Sequence, residues 1–170
     1  DALITSTSAG APNVTLTRQL RSAGVNIPYG SYAIDETTAK NMGSNAEGVY
    51  LAASYVSSLD TPANERFLEA LKEKFGDEAE TPNELSVPQY DGIYAYAAAV
   101  EKAGSTEPSA VIEALSEVTI EGPRGSIKMD RQRHAALTMY LGKVASDGSI
   151  EVVKTFESVD PGEQSPQFAD

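Results

Sequence analysis

Apolar residues occur along this chain in short runs separated by small and polar residues, and their spacing changes as the chain proceeds. Residues 1–6 place Ala2, Leu3 and Ile4 in a row, the pattern of a strand buried on both faces in a parallel sheet. The loop STSAGAPN leads into a helix capped by Asn13, with Val14, Leu16, Leu20 and Ala23 on its apolar face and Gly24 closing it. A second strand falls at 27–34, weakened by Pro28 and Gly30. Asp35 and Glu36 then start a short helix that ends near Gly43, and GVYLAASY at 48–55 predicts a third apolar strand.

The period then lengthens. Thr61 as cap, Pro62 at the first helical position and Phe67, Leu68, Leu71 and Phe75 on one face predict a helix that Gly76 stops. Pro88 opens another helix, apolar nearly all round as far as Glu101, which asks for cover on more than one side. A third begins at Pro108 with Val111, Ile112 and Leu115 on its buried edge. From Ile120 the pattern alternates: EGPRG is a turn cluster, and the runs at 137–144 and 150–156 flank Asp147 and Gly148 as a hairpin. The polar tail at 158–170 is expected over the surface. The fold class is α/β, with a parallel portion, a helix-rich middle and an antiparallel hairpin near the end, and residues 46–76 read as a bridge between two bodies.

Composition narrows the partners. With 170 residues and 41% hydrophobic side chains the chain can bury a core, and 25 acidic against 13 basic residues leave a formal charge of −12. That charge repels phosphate backbones and anionic lipid surfaces, so nucleic acid is not an expected partner. No run of 18 apolar residues occurs, and with no cysteine there is no thiolate nucleophile, zinc–thiolate site or disulfide. The single histidine, His134, lies in the polar stretch RQRHAA, and no GxSxG, GxGxxG, Walker or EF-hand pattern occurs. No catalytic, metal or cofactor constellation emerges, which favours binding over turnover. The chain begins at Asp1 rather than Met, which is expected of a processed chain or of a piece of a longer protein.

Binding chemistry is expected beyond the carboxyl ends of the first two strands, where open parallel sheets hold ligands. There lie the loop with Thr5, Ser6 and Ser8, and the strand end with Tyr32, Asp35 and Glu36. Both acids equally suit a helix start, where the amino-terminal dipole favours negative charge.

NAEGVYLAASYVSSLDTPANERFLEALKEKFG, followed by YDGIYAYAAAVEKAGS, resembles the carboxyl-terminal half of type I periplasmic binding proteins. SSLDTPANERF, EGPRGSIKMD and DRQRH resemble the branch of urea and short-chain amide receptors, close to the branched-chain amino acid receptors. The resemblance implies two lobes that close on a small solute and signal to the permease of an ABC importer, in the periplasm or outside the cell. Residues 1–51 and 126–170 would form the carboxyl-terminal lobe, and 52–125 would supply crossover segments and helices of an amino-terminal lobe whose remainder is absent. Thr5, Ser6, Ser8, Tyr32, Asp35 and Glu36 would face the solute, and Tyr55 would lie at the hinge. A cytoplasmic ligand-sensing regulator of the same fold, gripping a partner protein, is the other reading.

Overall fold

The computed structural model describes residues 1–7 and 9–162. Strands and helices alternate at first, as β1 (Leu3–Thr5), α1 (Ala11–Ser22), β2 (Tyr29–Ser31), α2 (Glu36–Met42) and β3 (Tyr50–Ala53). Helices α3 (Pro62–Phe75), α4 (Ser86–Ala103) and α5 (Pro108–Leu115) follow. The chain then forms strands β4 (Thr119–Gly122), β5 (Gly125–Lys128), β6 (Leu137–Val144) and β7 (Ile150–Val159). Five strands make one sheet in the order β1-β2-β3-β6-β7, parallel through β3 and antiparallel beyond it. Among the described residues, β4 and β5 pair only with each other, across the turn at Pro123 and Arg124.

Consecutive parallel neighbours joined by right-handed crossovers place α1 and α2 on the same face of the sheet. Toward that face point Tyr29, Leu51 and Ala53, each under 5% exposed, and they pack with Ala39, Met42, Val49, Val144 and Ile150. On the other face Ile4, Gly30 and Tyr50 stand in register, and Ile4 is 85% exposed. The expected strand buried on both faces is therefore covered on one face only among the described residues. The apolar row at 2–4 does not distinguish the two cases.

Asn13 does not cap α1. Gly10, at φ 76°, turns the chain into the helix, and Asn13 lies fully buried with its Nδ2 donating to the Ala33 carbonyl at 2.8 Å. It thus ties the first turn of α1 to the loop after β2.

α3 has the expected ends. The Thr61 hydroxyl accepts from the Asn64 amide at 3.2 Å, and Gly76 closes the helix at φ 58°. α4 starts at Ser86, two residues before Pro88, because Asn83 Oδ1 accepts from the Leu85 and Ser86 amides at 3.0 Å each. Pro88 then falls in the first turn, where its missing N–H leaves no helical bond unmade. Val87, Asp91, Ala95 and Ala99, four residues apart, are the buried line of α4, whereas Ile93, Tyr94 and Tyr96 are each more than half exposed.

Candidate functional site: a cleft beyond β2 and β3

A cavity of about 240 Å³ opens where β2 and β3 end, lined by Ala9, Tyr32, Asp35, Ala52, Glu84 and Leu85 among others. Its position follows from the topology, since parallel strands deliver their carboxyl ends and the loops that follow them to one edge. Tyr32, 61% exposed, leaves β2 just before the chain turns into α2 and lines the opening. Among the described residues, two carboxylates and no basic side chain line the cavity.

Both carboxylates also hold backbone. Asp35 caps α2, its Oδ1 accepting from the Thr38 amide at 2.7 Å, while Oδ2 accepts from Asn83 Nδ2 at 2.9 Å. Glu84 Oε2 accepts from the Ser54 and Tyr55 amides at 2.8 Å each, and the Ser54 hydroxyl approaches both of its oxygens at 3.2 Å. β3 ends at Ala53, so these two amides have left the sheet ladder and Glu84 supplies the acceptor they need. Burial pushes the Glu84 carboxyl above its ordinary value, and the Ser54 and Tyr55 donors and the nearby Arg124 charge oppose that rise only in part.

Of the residues expected in the site, the structure brings Tyr32 and Asp35 to the cavity. Glu36, 4% exposed, turns into the protein and accepts from the Ser57 amide at 2.5 Å. Thr5, on the helix-covered face of β1, bonds the Tyr29 hydroxyl at 3.2 Å, and Ser6 is exposed. Ser8 lies outside the described residues. Tyr55 is 1% exposed, and its hydroxyl donates to Asn64 Oδ1 at 2.8 Å. Burial first, and the Glu36 charge second, hold its phenol protonated well above the usual range.

Sequence reasoning passed over Glu84, Asp91 and Arg124. Arg124 donates from Nε to Asp91 Oδ2 at 2.7 Å and from Nη1 to the Ser54 hydroxyl at 2.9 Å. Asp91 was open to detection: it is a lone acid inside the apolar run of α4, and a buried acid needs a cationic partner.

The model of the family described as periplasmic binding protein matches residues 1–149. The chain belongs to this family. A Leu/Ile/Val-binding protein homolog of Brucella suis is 30% identical over 166 residues, 92% of this chain and 42% of its own length. A protein of Geobacillus stearothermophilus named limonene hydroxylase is 28% identical over 121 residues, 71% of this chain and 22% of its own length. A solute-binding protein of an ABC transporter from R. palustris, solved with 4-hydroxybenzoate, superposes with a TM-score of 0.81 at 27% identity. That superposition covers 95% of this chain and 46% of the other. The chain thus spans less than half the length of these relatives, and its mixed sheet and flanking helices form the α/β architecture of a type I periplasmic binding protein lobe.

Proposed function

We propose that this chain forms part of a solute receptor for an ABC importer, binding a small nitrogenous solute such as a urea, a short amide or a branched-chain amino acid. The observation that carries the choice of a nitrogenous solute is the cavity lining: Tyr32 offers an apolar ring, and Asp35 and Glu84 offer acceptors. N–H donors of an amide, urea or ammonium group complement such a surface. The whole receptor is a two-lobed periplasmic protein, in which residues 1–51 and 126–170 belong to one lobe and 52–125 supply crossings and helices to the other. The family's receptors close on their ligands, and a solute that binds the closed state better shifts the protein toward it, so affinity and closure are one free energy.

A thermal-shift panel of urea, acetamide, leucine and 4-hydroxybenzoate on the full-length protein tests this reading. A rise in Tm with one of the nitrogenous solutes is expected. Tyr32→Ala or Asp35→Asn should then weaken binding about tenfold, about 1.4 kcal/mol. A shift with 4-hydroxybenzoate alone would refute the nitrogenous solute, and no shift at millimolar concentrations would refute the receptor reading.

A further inference from the structure

We propose that Arg124 is a clasp that fastens the exit from β3 to the β4–β5 turn and to α4, so that these two chain passages move as one block. The inference rests on the reading above, in which both passages cross between lobes. Its geometry stands independently of any solute.

Three segments far apart in sequence meet at this one guanidinium. Nη1 reaches the Ser54 hydroxyl across 70 positions, and Nε reaches Asp91 Oδ2 across 33. Neither end is solvated: the Arg124 and Asp91 side chains are 10% and 3% exposed. An ion pair so placed is costly to break from one side, because the partner stays buried and charged. Ser54 is held at a second point by Glu84, whose residue leads into α4, so the exit from β3 is pinned to the same helix from two directions. Gly122 shows how closely the parts fit, because a Cβ there would run into the Asp91 carboxylate. The unshared Asp91 Oδ1 is buried without a hydrogen-bond partner among the described residues, which leaves Arg124 as the side chain that neutralises it.

Two crossings fastened to each other cannot bend separately. Lobe motion then has to be taken up on either side of the block, and Ser54 and Tyr55 serve as a fixed anchor within it.

The test is amide hydrogen exchange on the full-length protein without added solute. In Arg124→Met, exchange at Ser54 and Tyr55 is expected to accelerate about tenfold or more together with residues 122–125, while the β2 amides keep wild-type protection. Arg124→Met and Glu84→Gln should be non-additive at Ser54, as expected of residues that share one partner. Faster exchange confined to the 122–125 turn, or additive effects, would overturn the clasp. Should Arg124→Met not fold, Arg124→Lys retains the charge but lacks the planar fork that reaches two acceptors. It should give the same acceleration at Ser54 and Tyr55, and full protection there would refute the proposal. No solute is added, so a failed solute panel leaves this result standing.

Discussion

At Glu84, burial and hydrogen bonding act on the proton in opposite directions, and burial is the larger. The sign of its pH dependence follows. Its folded pKa lies above the ordinary 4.5, so the native state holds this proton more tightly than the unfolded chain does. The stability it contributes is complete below about pH 4.5 and is lost as pH rises through the folded value. Glu84→Gln removes the titration. The variant's urea stability relative to wild type should therefore shift in its favour as pH is raised from about 4.5 to 7. A difference that stays flat with pH would mean that the Ser54 and Tyr55 donors cancel the effect of burial, and a shift in favour of wild type that they outweigh it. The same carboxylate lines the cleft and holds the exit from β3, so the charge there is under constraint from both sides.

Among the elements, α3 separates what local chemistry specifies from what the fold adds. Thr61→Ala removes one cap bond to the Asn64 amide and should cost about 1 kcal/mol. Asn64→Ala should cost more, about 2–3 kcal/mol, because Asn64 is 1% exposed and its side chain serves the Tyr55 hydroxyl and the Ser57 and Leu59 carbonyls. Urea midpoints of the two variants decide it, and equal losses would show that water replaces the buried bonds. Thr61, Pro62 and Gly76 were legible in the sequence because caps act within four residues, and so were Asp35 before α2, Pro108 at the start of α5 and the Gly148 turn between β6 and β7. Asn13 suited a cap equally well on local grounds, but its partner is Ala33, 20 positions away. The position of Tyr32 and Asp35 at the cavity was legible because it follows a strand end. Glu84 and Arg124 were not, because their partners lie 30 and 70 positions away and nothing local marks them.

For the whole molecule, two apolar faces remain uncovered among the described residues. One is the side of the sheet bearing Ile4, where a groove of about 320 Å³ also takes in Tyr32, Tyr50 and Leu141. The other is the outer side of α4, with Ile93, Tyr94 and Tyr96. Apolar patches of this kind on a folded protein mark surfaces that pack against something. Because the chain spans 42% of the length of its Brucella suis relative, we expect the rest of the receptor to supply that cover. The expectation separates two contexts. In the 170-residue chain alone, Ile4→Glu or Ile93→Glu introduces a charge into water and should change stability by no more than about 0.5 kcal/mol. In the full-length protein the same charge would be buried without a partner, and each substitution should cost about 3 kcal/mol or more. Parallel urea titrations of the two forms measure the contrast. If Ile93→Glu were as mild in the full-length protein as in the chain alone, the outer side of α4 would be solvent-facing in the receptor, and helices α3 and α4 could not belong to a second lobe packed over them.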